Sequence, residues 1–298
     1  MYLTSTNLIA VVLAGGFTGV LGAILGTGGG VFLIPILVLG MGVPMHHAVA
    51  TSILSVIATS SAVAGSNVER GTANMRLGMT LEVATSLGAI AGGLTAGWLA
   101  PRTLEGLFAV VLVPTAVMMW RGRTGHGDDA EAGAGSGPSS ASEAAGPDSG
   151  RDEDLGVLGA EYYDETEGRL VAYRVQRLEA GLAVSFLAGN LSGLLGIGGG
   201  VFKVPALHLL CGVPIRAAAA TSNFMIGVTA AASAALYYGR GDVRPALTAA
   251  VVLGVLVGSA VGTVLNRRVG GGAVRRLFSV LLVAVAVQMF YRLVSGGG

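Results

Sequence analysis

Residues 195–205 read LGIGGGVFKVP, and residues 25–35, 170 positions earlier, read LGTGGGVFLIP. Both copies lie in long apolar regions. Three consecutive glycines are poor helix formers, since each costs about 1 kcal/mol relative to alanine. The proline that follows is tolerated only near the start of a new helix. The pattern predicts a helix that stops at the glycines and restarts after them at membrane depth. Such paired breaks in two halves of a chain point to a transporter's binding site.

An internal duplication extends well beyond the glycines. Aligning residues 26–71 with residues 196–241 without a gap gives 21 identities in 46 positions. Random apolar segments would not keep prolines, a Thr-Ser pair and an arginine in one register. These matched positions are Pro35/Pro205, Pro44/Pro214, Thr51/Thr221, Ser52/Ser222 and Arg70/Arg240.

The composition indicates a membrane protein with an acidic insertion. Of the 298 residues, 52% are hydrophobic and only 12% are charged, against about a quarter charged in soluble domains. Twelve of the seventeen acidic residues lie between Asp128 and Glu167, among glycine, serine and alanine. That composition cannot bury a core. We therefore expect three parts: membrane repeat 1 (residues 1–122), a largely disordered acidic linker (123–178) and membrane repeat 2 (179–298).

The apolar segments predict an all-α polytopic membrane protein, with two pseudo-symmetric repeats and about 8–10 membrane segments. The first apolar stretch is interpreted as a retained segment, since no positive region precedes it. Residues 31–39 and 201–210 are short enough to be re-entrant, and alternation over residues 170–175 predicts a short strand. Arginine counts favour inverted repeats, a cytoplasmic linker and outside termini. Inverted repeats would place eight arginines on one side of the membrane and four on the other, whereas parallel repeats would place seven and five. The more unequal split agrees better with the enrichment of arginine on the cytoplasmic side.

A family resemblance follows from the repeated motif. The motif runs from Gly26 to Ser52 and again from Gly196 to Ser222. It reads Gly-x-Gly-Gly-Gly-Val-Phe-x-x-Pro-x-Leu, followed by Gly-Val-Pro and then by Ala-x-Ala-Thr-Ser. It resembles the sulfite exporter TauE/SafE family of membrane permeases, over about four fifths of the chain. The resemblance implies a multi-pass permease of the cell membrane for sulfite, organosulfonates or related sulfur anions. It does not cover the acidic linker.

Physical reasoning from the residues points to the same class of ligand. A helix that begins after Gly30 or Gly200 leaves its first N–H groups unpaired, and its dipole favours an anion there. Two such N-termini meeting near the midplane would form an anion site with few charged side chains. The competing interpretation is that the glycines only permit close helix crossing. The predicted substrate-binding residues are Gly28, Gly29, Gly30, Thr51, Ser52, Gly198, Gly199, Gly200, Lys203, Thr221, Ser222 and Asn223.

Two charged residues within the apolar regions carry separate hypotheses. Lys203, whose counterpart in the first repeat is Leu33, is either a counter-charge for an anionic substrate or a residue that snorkels or pairs with Glu82. Glu82 is a candidate proton carrier, although its place near a helix start favours a solvated interfacial residue. The hydroxyls of the Thr-Ser pairs either donate to sulfonate oxygens or bond back to the preceding turn.

Several other functions are weighed against this interpretation. No hydrolase elbow, HExxH motif or catalytic carboxylate pair occurs, and the glycine run lacks Walker A spacing, so no enzyme, cofactor, metal or nucleic-acid partner is expected. The alternatives are a membrane scaffold or sensor acting through the linker, an anion channel, and an intramembrane enzyme using His208. The expected partners are a small anion, the lipid bilayer and a coupling proton or sodium ion. The oligomeric state is left open.

Overall fold

The computed structural model describes residues 5–25, 28–69, 71–121, 156–164, 169–266, 283 and 285–291. Helices dominate these ranges, which confirms the all-α class. The helices of the first half are α1 Ser5–Leu25, α2 Gly30–Pro35 with a π-helical continuation Ile36–Gly40, α3 Met45–Glu69, α4 Met75–Ala96 and α5 Pro101–Arg121. Those of the second half are α6 Leu178–Leu195, α7 Gly200–Leu209, α8 Ile215–Gly239 and α9 Pro245–Asn266. Residues 285–291 are also helical.

The duplication seen in the sequence is reproduced in the helix bounds. The first and last residues of α8 and α9 lie 170 positions after those of α3 and α4. The same shift relates the end of α1 to the end of α6 and the start of α2 to the start of α7. Each half is therefore one structural repeat, interrupted at the glycines as predicted.

The two repeats have opposite orientations. Helices α3 and α8 pack together, and the Ser60 hydroxyl in the later part of α3 donates a hydrogen bond to the Asn223 carbonyl in the early part of α8. At the start of α3, Nδ1 of His47 donates to the carbonyl oxygen of Asp242, just beyond the end of α8. These contacts make α3 and α8 antiparallel, so the inverted arrangement is confirmed.

Helices of one half also pack along helices of the other half. Helix α1 packs along α9, and α4 packs along α6, so each of these pairs joins one repeat to the other. Glycines allow the close approach: a Cβ on Gly92 of α4 would lie 2.0 Å from the Asn190 carbonyl oxygen of α6. In α9, a Cβ on Gly258 would lie 2.0 Å from the Gly16 carbonyl oxygen of α1. Small residues at such crossings are typical of helix packing in membranes.

Helix α4 shows the surface that faces the membrane. Five described helices are long and apolar enough to cross a bilayer, within Met45–Gly65, Met75–Ala96, Leu178–Leu195, Ile215–Gly239 and Pro245–Leu265. Large apolar side chains at helical spacing are exposed on α4, namely Met79, Val83, Leu87, Ile90 and Leu94. An exposed apolar stripe on a helix that is buried on its other face is the expected pattern for contact with lipid.

The short helix α2 is the returning arm of a re-entrant pair. Helix α1 runs parallel to α9, since Gly15 lies against Val251 and Gly262 lies against Val20. Helix α9 begins on the side where α3 begins, next to Asp242. Because α2 leads directly into α3, α1 and α2 enter and leave the membrane on the same side.

Part of the linker is ordered against the helices. Strands β1 Ala160–Asp164 and β2 Arg169–Tyr173 pair as an antiparallel hairpin, which confirms the predicted strand. Tyr162 and Tyr173 are both 7% exposed and join an apolar cluster from α4, α7 and α8 that includes Leu77, Leu207 and Met225. The acidic segment that the sequence predicts to be disordered consists mainly of residues 122–155, and these lie outside the described residues.

The hairpin is fixed to the ends of two helices by hydrogen bonds. Asn74 caps α4 by accepting from the Leu77 amide, and its Nδ2 donates to the Leu158 carbonyl oxygen just before β1. After β2, the Gln176 amide donates to the Cys211 carbonyl oxygen, just beyond α7. The start of α4 and the end of α7 therefore share one side of the molecule, beneath the hairpin.

Candidate functional site

The two glycine breaks meet at the centre of the molecule. At Gly30, the first residue of α2, a Cβ would lie 2.6 Å from both the Gly196 carbonyl oxygen and the Ser52 hydroxyl. Gly196 belongs to the break of the other repeat, so the two breaks touch directly. The hydroxyl of Ser52 donates to the same Gly196 carbonyl oxygen at 2.7 Å. The close approach requires glycine at position 30, because any side chain there would meet backbone of the other break.

Each break turns through left-handed backbone before the next helix begins. Gly28 and Gly29 have φ of 78° and 74°, and Gly198 and Gly199 have φ of 79° and 69°. Residues other than glycine rarely adopt this conformation. Gly29 and Gly199 are the N-cap residues of α2 and α7, without a side-chain cap. The first N–H groups of both helices are thus free of a capping side chain, as the anion-site hypothesis requires.

Ser222 is a buried hydroxyl beside this crossing. It is the counterpart of Ser52, it is 0% exposed, and its Oγ has no hydrogen-bond partner in the described part of the chain. It precedes Ile226, which contacts Gly28 of the first break, by four residues on α8, so the two side chains share a helix face. A buried polar atom without a partner is costly, so Ser222 has hydrogen-bonding capacity to offer a ligand.

The other predicted polar residues are brought near the crossing but have structural partners. The Thr51 hydroxyl lies 3.3 Å from that of Thr248 on α9. The Thr221 hydroxyl accepts the backbone N–H of Asn74 at the start of α4, at 2.9 Å. Asn223 is half-buried, and its backbone carbonyl accepts from Ser60. These bonds run to other elements, and not to the preceding helical turn, which was one of the two alternatives for the hydroxyls.

Lys203 lies in the first turn of α7 at the centre of a buried polar cluster. Its side chain is 1% exposed, and its Nζ donates to the Thr229 hydroxyl of α8 at 2.7 Å. Thr229 in turn donates to Oε1 of Glu82 on α4 at 2.8 Å. The Lys203 Nζ also forms an ion pair with Oε2 of Glu82 at 3.8 Å. The pairing of Lys203 with Glu82, one of the two alternatives drawn from the sequence, is confirmed; its role toward a substrate stays a prediction.

The expectation of an interfacial, solvated Glu82 is wrong. Its side chain is 8% exposed, and its Oε1 also accepts from the Ser86 hydroxyl at 2.9 Å. The reason is that α4 begins inside the protein: the hairpin covers its N-terminus, and Asn74 contacts Thr221, six residues into α8. A residue two turns into α4 therefore lies near the middle of the molecule.

The charged cluster joins the two repeats, since Glu82 belongs to the first and Lys203 and Thr229 belong to the second. The counterparts 170 positions away, at the symmetry-related site, are Leu33, Thr59 and Val252, so only the threonine is kept. Thr59 donates to the Ser55 carbonyl oxygen, and the equivalent carbonyl oxygen of Met225 lies 2.8 Å from the Thr229 hydroxyl. Thr229 was missed by sequence reasoning, although its identity with Thr59 across the repeats was an available signal. The same fold thus contains a charged and an apolar version of one site.

The cluster lies close to the crossing of the breaks. Ile226, which contacts Gly28, precedes Thr229 by three residues on α8. Residues three apart share a helix face and are separated by about 4.5 Å along its axis. Lys203 also follows Gly200, the first residue of α7, by three positions. The crossing and the charged cluster therefore form one central site.

A separate cavity of about 310 Å³ opens beside α2. It is lined by apolar residues and one amide: Val31, Phe32, Pro35, Ile36, Leu39, Gly40, Val285 and Gln288. Among the described residues that line it, Gln288 alone has a polar side chain, so these residues offer an anion little. Within the described ranges no group of histidine, cysteine and carboxylate side chains is arranged to hold a metal ion.

Comparison with known proteins identifies the relatives of the chain. The family model for the sulfite exporter TauE/SafE matches residues 11–289. A probable membrane transporter protein, YunE, of Bacillus subtilis (strain 168) is 22% identical over 293 residues, covering 96% of this chain and 98% of its own. A probable membrane transporter protein of Xylella fastidiosa (strain 9a5c) is 26% identical over 294 residues, covering 97% of each chain.

A plant relative matches a shorter part. Sulfite exporter TauE/SafE family protein 5 of Arabidopsis thaliana is 49% identical over 55 residues, which are 18% of this chain and 12% of its own. No solved structure matches.

Proposed function

Because the chain belongs to the sulfite exporter TauE/SafE family and is a multi-pass membrane transporter, we propose that it is a permease of the cell membrane for a small sulfur-containing anion. The substrate is sulfite, an organosulfonate or a related oxyanion. It binds where the two glycine breaks cross and passes by alternating access. The transporter is not an enzyme, as the names of its relatives indicate.

The observation that carries the proposal is the direct contact of the two breaks beside a buried ammonium group. Gly30 of one break touches Gly196 of the other, and Lys203 stands one turn into α7. An anion there meets the N-terminal N–H groups of α7, the positive end of its dipole and the ammonium of Lys203. The unpartnered hydroxyl of Ser222 supplies a further donor. All of these groups favour negative charge.

The chemistry of the site also suits an oxyanion of modest size. Sulfite and the sulfonates present three oxygens, each of which accepts hydrogen bonds from N–H and O–H donors. Glycines at the crossing let the backbone approach these oxygens closely. The surrounding core is apolar, with the buried side chains of Val56 and Ile226 next to Gly28. Donors in such surroundings act in a low dielectric, which strengthens their interaction with an anion.

Flux into proteoliposomes tests the proposal. Purified protein is reconstituted, and uptake of labelled sulfite is followed with taurine, sulfoacetate, thiosulfate, sulfate and chloride as competitors. We expect saturable uptake above that of protein-free liposomes, inhibited by at least one organic or inorganic sulfur anion and not by chloride. Absence of uptake of any sulfur anion by folded protein would contradict the proposal. Inhibition by chloride as strong as by the sulfur anions would favour an unselective anion pathway instead.

A further inference from the structure

We infer that Glu82 is the proton-binding site that couples anion transport to protons, with Lys203 shared between Glu82 and the substrate. The inference rests on the proposed function and adds its energy coupling. Its starting observation is the buried Glu82–Thr229–Lys203 cluster, whose counterparts at the symmetry-related site are Leu33, Thr59 and Val252. Folding alone does not require the charges, since the equivalent helices α2, α3 and α9 pack together without them.

The two carboxylate oxygens of Glu82 differ in their surroundings. Oε1 accepts from the hydroxyls of Thr229 and Ser86. Oε2 has no hydrogen-bond partner in the described residues, and the Lys203 ammonium lies 3.8 Å away, beyond hydrogen-bond distance. Oε2 is therefore the open position to which a proton adds. A protonated Oε2 leaves both bonds to Oε1 in place.

The neighbours of Glu82 favour a proton over a metal cation. Among the described residues, Lys203 of α7 is the charged group that acts electrostatically on Glu82. The described polar groups that face it are the hydroxyls of Thr229 on α8 and Ser86 on α4. Two hydroxyls and one carboxylate are too few oxygens for a sodium cage, and the adjacent ammonium repels a metal ion. A proton needs only the open oxygen.

The shared ammonium links the proton to the anion. While Glu82 is ionised, its charge balances that of Lys203, and an incoming anion must compete with it. When a proton from water binds Oε2, Glu82 becomes neutral, and the buried Lys203 ammonium is left without a counter-charge. An anion at the adjacent break then restores neutrality, so proton and anion bind favourably together. One proton accompanies each anion, and release of either one promotes release of the other.

The test compares pH-driven accumulation with exchange at equal pH in the same proteoliposomes. Glu82→Gln keeps an acceptor for Thr229 and Ser86 but binds no proton. We expect its ratio of pH-gradient-driven sulfite accumulation to sulfite exchange to fall at least tenfold. Glu179→Gln, at an exposed carboxylate in the first turn of α6, is the matched control and should keep the wild-type ratio. A wild-type ratio in Glu82→Gln would overturn the inference.

Two further measurements keep the outcome clear. If Glu82→Gln does not fold, Lys203→Leu/Glu82→Val, which copies Leu33 and Val252 of the symmetry-related apolar site, replaces it with the same expected loss and the same contradicting result. Infrared difference spectra recorded on adding sulfite should show a protonated-carboxyl band in the wild type that Glu82→Gln lacks; spectra without that difference contradict the inference. If the wild type neither transports nor binds sulfite, the proposed function fails and the inference falls with it.

Discussion

Lys203→Leu alone is expected to lower the free energy of unfolding by about 3–5 kcal/mol, the usual cost of leaving one member of a buried ion pair without its partner. The reason is that both side chains are buried: Lys203 is 1% exposed, and its loss leaves the buried Glu82 carboxylate without its ion-pair partner. Adding Glu82→Val should recover most of the loss, because replacing both charges with apolar groups is often neutral or stabilising. The symmetry-related site, which combines Leu33 of the first repeat with Val252 of the second, already has apolar residues at the equivalent positions.

Denaturant unfolding in detergent, followed by tryptophan fluorescence or circular dichroism, measures this double-mutant cycle. Arg102→Leu, at an exposed position in the first turn of α5, is the control, and surface substitutions of this kind usually change stability by less than about 0.5 kcal/mol. If the double variant loses as much unfolding free energy as the two single variants lose together, the two charges are not coupled in the folded protein.

Gly30→Ala is expected to reduce sulfite transport about tenfold or more. A Cβ at this position would lie 2.6 Å from the Gly196 carbonyl oxygen, so the two breaks must move apart. Overpacking of this kind costs about 1–3 kcal/mol, and each 1.4 kcal/mol corresponds to a factor of about ten. If the anion site is formed by contact of the breaks, the loss falls on substrate binding as well as on stability.

Gly40→Ala provides the matched control for this prediction. Gly40 ends the same short helical segment, but a Cβ there would meet nothing within 4 Å. The measurement is the initial rate of labelled sulfite uptake at several concentrations, normalised to the amount of folded protein. We expect Gly40→Ala to transport like the wild type. If Gly30→Ala does the same, the close contact of the two breaks is not needed for transport.

The sequence predicted the repeat and its breaks well because both depend on local chemistry. Consecutive glycines and a following proline are incompatible with a continuous helix wherever they occur. The offset of 170 positions then placed the second copy, and the helix bounds follow it closely. The pairing of Lys203 with Glu82 was also within reach, since few carboxylates lie outside the acidic linker.

The parts that were not predictable depend on how distant segments meet. The depth of Glu82 could not be judged from its distance along α4, because the hairpin covers the start of that helix. The role of Thr229 between the two charges requires three helices to converge. Contact between Gly30 and Gly196 follows from the antiparallel crossing of the repeats, which no local pattern encodes.

The central claim, that the anion binds where the two breaks cross, is tested most directly by locating a bound analogue. Selenite has the charge and shape of sulfite, and selenium is detected by anomalous X-ray scattering from crystals soaked with it. We predict a selenium peak between Gly30 and Lys203, with its oxygens about 3 Å from backbone N–H groups of the short helices. A peak confined to the apolar cavity beside Phe32 and Gln288, or no peak in a protein that transports sulfite, would contradict the account.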